Sequence, residues 1–276
     1  MMISAFGWSL FDISRKKTGM LFSAPVALQV YMLLTLPIFL GWAWAIGGFT
    51  VANSYWGLGL LGILVNFLAN WTFIESVSRS PLSLSVPMLA FVPVFSTVFS
   101  YLLLGEVLNT HQLFGVGVVV AGSFLLNGRP KFRGSEAGPW LMFVAAMLWA
   151  LMMVIDKICL RSTSVPMHST IQTIGIIVCT SFLLHRRGLR LNFVSSVRAG
   201  SLYLAVGVVG CVLGAGLQML AIDKVDVAIL EAVKRSANMG FTIFWAYVVF
   251  GERVTPRTFL ALGVLLGGTF IVLQVL

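Results

Sequence analysis

Residues 101–124 read YLLLGEVLNTHQLFGVGVVVAGSF, and residues 247–270 read YVVFGERVTPRTFLALGVLLGGTF. At a shift of 146 residues, seven positions are identical: Tyr101/Tyr247, Gly105/Gly251, Glu106/Glu252, Gly117/Gly263, Val118/Val264, Gly122/Gly268 and Phe124/Phe270. In each copy an apolar helix ends in Gly-Glu, a short turn follows, and a glycine-spaced apolar helix begins. A second echo, at a shift of 141 residues, pairs Trp8…Lys16 with Trp149…Lys157. The chain therefore reads as two halves of five helices, residues 1–128 and 139–276, joined by a loop at 129–138. An odd number of spans per half forces the copies into opposite orientations, the geometry used by alternating access.

Composition supplies the solvent. Of 276 residues, 59% are hydrophobic and 10% charged, against roughly 25% charged in a soluble domain. A mean hydropathy of +0.99 points the same way. The protein is expected to be all-α and embedded in lipid, which excludes most enzymes built on a globular core. Thr18 to Ile74 carries no charge and is broken by Gly47-Gly48 and Asn53-Ser54 into spans near 24–46 and 55–76. Further charge-free runs cover Ser80–Gly105, Val107–Gly128, Ala137–Ile155, Ser162–His185, Ala199–Ile222 and Thr258–Leu276. Val227–Phe250 is equally apolar but holds Glu231, Lys234 and Arg235. Met1–Ser14 is short for a span, so the expectation is ten transmembrane helices, with nine as the fallback. The basic cluster Arg15-Lys16-Lys17 follows the apolar run, the reverse of a signal peptide.

The segment Ser80-Pro81…Pro93-Val94-Phe95…Leu104-Gly105-Glu106…Gly115…Gly122, with its echo Phe250-Gly251-Glu252…Gly263…Gly267-Gly268, resembles the EamA-type transporters of the drug/metabolite transporter superfamily. The resemblance covers nearly the whole chain. It implies ten helices, a central substrate cavity, and export or exchange of small organic metabolites, with both termini in the cytoplasm.

Charge placement points the other way on orientation. Odd-numbered connections hold thirteen Lys and Arg residues, and even-numbered ones hold Lys157, Arg161 and Lys224. By the positive-inside rule the odd connections are cytoplasmic. Ten spans would then place both termini outside, and nine would leave the N-terminus inside. The membrane expected is the plasma (inner) membrane.

Charges within a membrane helix are expensive and usually face a bundle interior or a wet cavity. Glu231, Lys234, Arg235 and Asn238 share one helix face, which Thr242 and Trp245 extend. Lys234 and Arg235 are candidates to attract an anionic group on the substrate, and Glu231 to pair with them at rest and exchange a proton. The competing reading is an i,i+4 pair of Glu231 with Arg235 at the membrane boundary, with Lys234 snorkelling. Asn66 and Asn70 are either interhelical glue or cavity-lining donors. Trp8 and Trp149 either line the pore or anchor at the interface. Gln172 and Gln218 are further polar candidates, and Asp156 with Lys157 reads as a boundary pair.

Gly105-Glu106 and Gly251-Glu252 form the structural motif. A carboxylate at a helix C-terminus opposes the dipole, so each Glu is expected to cap the next helix or to pair with a loop base such as Arg253 or Arg257. Pro87, Pro93 and glycines 115, 117, 122, 263, 267 and 268 allow kinks and close helix approach.

Other chemistry lacks a pattern. The three His show no metal-ligand spacing, and the three Cys read as small buried hydrophobes. There is no phosphate-binding loop of the ATPase type and no nucleophile elbow, so no cofactor and no metal are implied. Nucleic acid is disfavoured, because the bases are spread over short loops. The expected partners are the bilayer and a small organic solute, with a homodimer left open. A non-transporting membrane sensor or scaffold and an embedded lipid-modifying enzyme stand as alternatives to the transporter.

Overall fold

The structure, a computed structural model, describes residues 1–80, 85–127, 137–189, 191–250 and 255–274. Ten α-helices run through them: α1 Met2–Thr18, α2 Ala24–Ala45, α3 Tyr55–Arg79, α4 Val92–Leu104, α5 Thr110–Asn127, α6 Ala137–Cys159, α7 Val165–Arg186, α8 Phe193–Ile222, α9 Val227–Phe250 and α10 Pro256–Val272. A 3-10 segment, Val86–Phe91, leads into α4.

Local signals set these boundaries. Proline stands in the first turn of α2, α4, α7 and α10, where its missing N–H has no helical partner to lose. The side chains of Ser164 and Thr255 accept from the backbone N–H of Met167 and Thr258, capping α7 and α10. Gly105 closes α4 at φ 69°, the left-handed cap that glycine adopts without steric penalty. Inside α8, Gly200 leaves helical geometry (φ −112°, ψ 15°), so the seven residues before it form a separate helical piece. Arg198 lies in that piece rather than in a loop.

Six helical segments, α2, α3, the 3-10 segment with α4, α6, α7 and α8, are long and apolar enough to cross a membrane, and α5 and α10 are shorter apolar helices. Their outward faces carry Trp44, Phe182, Leu202 and Phe259, each more than 60% exposed. Lipid favours such a face, and water would penalise it.

The chain divides into two compact units, with boundaries inside α3 and α6. The first unit comprises residues 1–2, 68–154 and 222–276. Its seam is α5 against α10. A Cβ added at Gly115 would stand 2.7 Å from the Val272 nitrogen, and one at Gly268 2.9 Å from that of Val119, so these glycines let the two backbones touch. Gly117, Gly263 and Gly267 face open space, and their presence in the repeat has no packing explanation here. Val116, Val119, Leu265 and Val272 join Ala228, Ala232 and Val233 of α9 in one core. A second core centres on Met88, Met142 and Ala145. Beside it, Phe91, Phe95 and Phe143 meet at centroid distances of 5.1–6.4 Å.

The second unit comprises residues 3–67 and 155–221. Here α1 lies antiparallel along α8: Ser4 Oγ donates to the Gly214 carbonyl (2.7 Å), and ten residues later Ser14 donates to that of Tyr203. A Cβ on Gly210 would stand 2.7 Å from both the Gly7 oxygen and the Phe11 nitrogen. Helices α2 and α7 are joined by Gln29, which donates to Ser181 Oγ (2.8 Å) and accepts from Thr180 Oγ1.

Candidate functional site

Helix α9 places its charged residues well away from solvent. Glu231 is 1% exposed, and its carboxylate takes a short ion pair with Lys234 Nζ one turn on. Lys234, at i,i+3, is thus a partner of Glu231 on this face, beside the i,i+4 position held by Arg235. Arg235 and Asn238 are half-buried on the same face, and Thr242 Oγ1 donates to Asn238 Oδ1 (3.3 Å). A lone carboxylate at this burial would be prohibitively desolvated, and the ammonium beside it makes the charge tolerable. The arrangement can therefore offer a cation to an anionic solute whenever the carboxylate is neutralised.

The remaining sequence candidates divide between the units. In the first unit Trp149 is half-buried on α6 and tilts against Phe73 of α3 at 5.4 Å, near Asn70 on the same helix. In the second unit the Trp8 indole N–H donates to Gln218 Oε1 (2.9 Å), and its ring packs against Phe11. Asn66 lies one turn before Asn70 but belongs to the second unit. Trp8 is thus hydrogen-bonded between α1 and α8, with Gln218 as an acceptor. Gln172 donates to the Gly59 carbonyl (3.2 Å).

Glu106 is also accounted for. Its Oε2 accepts from the Val227 N–H (2.9 Å), so it caps the start of α9, the fifth helix after it. The negative charge sits at the positive end of the α9 dipole and holds the charged face of α9 in place. Gly251, Glu252 and Arg253, like residues 129–136 of the connecting loop, lie outside the described residues, while Ala137 and Gly138 begin α6. Arg257 Nε donates to the Leu125 carbonyl (2.8 Å).

A second polar cluster has no counterpart in the sequence reading. Asp156, in the last turn of α6, is 3% exposed: its Oδ1 lies 2.9 Å from His168 Nε2, and His168 Nδ1 lies 2.9 Å from the Tyr55 hydroxyl. Histidine and tyrosine are both about 1% exposed. Three helices, α6, α7 and α3, contribute one residue each, so no spacing along the chain announces the group. Among the described residues, no three His, Cys, Asp or Glu side chains converge as a metal site.

Comparison with known proteins supplies the frame. The EamA-like transporter family matches residues 1–128 and again 136–274. The curated proteins gave no match. Twenty-nine solved chains share the fold. One, titled only "Crystal structure of protein", covers 99% of this chain and 94% of its own length with a TM-score of 0.81 at 15% identity. That identity speaks for the fold alone. With two family segments filling nearly the whole sequence and apolar helices throughout, the chain belongs to the EamA-like transporter family of the drug/metabolite transporter superfamily and is a multi-pass membrane transporter.

Proposed function

We propose that this protein is a secondary active exporter or exchanger of small organic metabolites that carry an anionic group, working by alternating access through a central cavity between two inverted five-helix halves. Ten transmembrane helices are supported by which chain ends meet. Contacts join the second connection to the sixth through Ala52 and Ser162, and the fourth to the eighth through Glu106 and Val227. They also join the fifth to the ninth through Leu125 and Arg257, and the end of α1 to α8 just past its kink through Ser14 and Tyr203. Odd meets odd and even meets even, as helices that cross the bilayer one after another require. The antiparallel run of α1 along α8 supports counting α1 as a span, since its 17 residues reach about 25 Å at 1.5 Å per residue.

The observation that carries the substrate class is the buried Glu231–Lys234 pair on α9. An anionic solute competes with Glu231 for Lys234 and Arg235. A proton on Glu231 removes that competitor, so proton and anion bind together, and counter-exchange of one anion for another needs no net proton movement. Asn238, Trp149 and Asn70 are further proposed contacts for the solute, with Asn66 and Trp8 assigned the weaker share. In proteoliposomes, Glu231→Gln should abolish the pH dependence of flux while leaving flux itself measurable; unchanged pH dependence would reject the coupling.

The excess of bases at odd-numbered connections supports cytoplasmic loops there, in the plasma membrane, with both termini outside. A reporter fused after residue 276 should be inactive if it requires the cytoplasm, and cytoplasmic activity would reverse the orientation.

A further inference from the structure

We propose that Asp156, His168 and Tyr55 form a second proton-binding site, separate from Glu231, that latches the corner between α6 and α7. It lies beneath a seam between two connections. Ala52 N–H donates to the Ser162 carbonyl (3.0 Å), Val51 bridges Thr163, Thr163 Oγ1 donates to the Thr50 carbonyl (3.0 Å), and Ser164 Oγ donates to that of Gly48 (2.7 Å). Ser54 and Ser162 meet in the exposed part of this seam at 3.1 Å, so water reaches the layer directly above the buried group.

The group has two satisfied proton states. With neutral imidazole, Nε2–H donates to Asp156 and the Tyr55 hydroxyl donates to Nδ1, which leaves one buried negative charge. With imidazolium, Nε2–H and Nδ1–H donate to Asp156 and to the Tyr55 oxygen, and the net charge is zero. The Tyr55 hydroxyl proton then needs a new acceptor. Gln172 lies beside that hydroxyl and its Oε1 is buried without a partner; turning the amide away from the Gly59 carbonyl brings that oxygen to the hydroxyl. One proton enters at His168 Nδ1, and the tyrosine hydroxyl turns to the glutamine oxygen. The groups facing the imidazole are Asp156 on α6, Tyr55 on α3 and Gln172 on α7, with the Cys159 thiol of α6 electrostatically close to Asp156 and Tyr55.

Packing alone does not require ionisable residues here. The corresponding corner of the other half, formed by α1, α2 and α8, is closed by hydroxyls: Ser14 Oγ and Thr18 Oγ1 lie 2.5 and 3.1 Å from the Tyr31 hydroxyl. Replacing hydroxyls by a carboxylate and an imidazole adds the capacity to hold a proton. The bond to Asp156 is charge-assisted in both states; protonation makes the Nδ1–H bond to Tyr55 charge-assisted too, and such bonds are roughly twice as strong as neutral ones, so the protonated state holds the corner, and the seam above it, more tightly.

The test uses the full chain labelled with 15N-histidine in phosphatidylcholine nanodiscs. With three histidines in the sequence, His168→Gln assigns the signal of interest. His168 should show one protonated and one bare nitrogen in alkali, gain the second proton on acidification, and hold it less firmly in Asp156→Asn. Tyr55→Phe, which keeps the ring, should change the Nδ1 shift and retain the titration. Hydrogen-exchange protection factors in residues 47–54 and 160–164 should rise roughly fivefold below the midpoint in the parent and not in His168→Gln. A His168 spectrum constant on acidification, a midpoint unmoved in Asp156→Asn, or protection independent of the midpoint would each overturn the latch. Glu231→Gln should leave all these readouts in place, so failure of the transport reading is separable from failure of this one.

Discussion

Two corners of the second unit do the same structural work with different chemistry. In each, the end of a half's first helix meets the second helix and the third helix of the other half. At α1, α2 and α8, Ser14, Thr18 and Tyr31 close the corner with hydroxyls and a backbone carbonyl. At α6, α7 and α3, Asp156, His168 and Tyr55 close it with a carboxylate and an imidazole. Hydroxyls satisfy a buried corner cheaply because each is both donor and acceptor. A carboxylate requires a donor in every state, so the ionisable corner ties its stability to one partner.

The largest effect expected from that contrast is on stability. Asp156→Ala strands a buried imidazole and should lower the unfolding free energy by about 3 kcal/mol or more. Tyr31→Phe removes neutral hydrogen bonds and should lower it by about 1 kcal/mol. Denaturation in detergent reads both, and equal losses would break the distinction. Next in size is the seam on which the hydroxyl corner hangs. Gly210→Ala drives a methyl into the α1 backbone and should lose about 2 kcal/mol, whereas Gly117→Ala, which faces open space, should stay within about 0.5 kcal/mol. A large loss at Gly117 would show that the repeated glycines serve contacts beyond this fold.

The spans were legible in the sequence because a membrane helix is a local property: apolar runs near 24–46, 55–76 and 227–250 match α2, α3 and α9 within a few residues. The charged face of α9 was equally legible, since its residues recur at helical spacing. What hid were the partners across helices. Glu106 caps a helix that begins 121 residues later, and Tyr55 reaches His168 across 113 residues. Asp156 and His168, twelve residues apart, straddle a turn, so each alone reads as a boundary charge or an isolated histidine.

Lys234 is the proposed receptor for an anionic solute. The direct measurement is a thermal-shift screen of the purified protein against metabolites bearing carboxylate or phosphate groups and against neutral and cationic ones, repeated on Lys234→Ala. Stabilisation by anionic metabolites that disappears in Lys234→Ala is the predicted result. Stabilisation by neutral or cationic metabolites alone, or an anion response unchanged in Lys234→Ala, would contradict it.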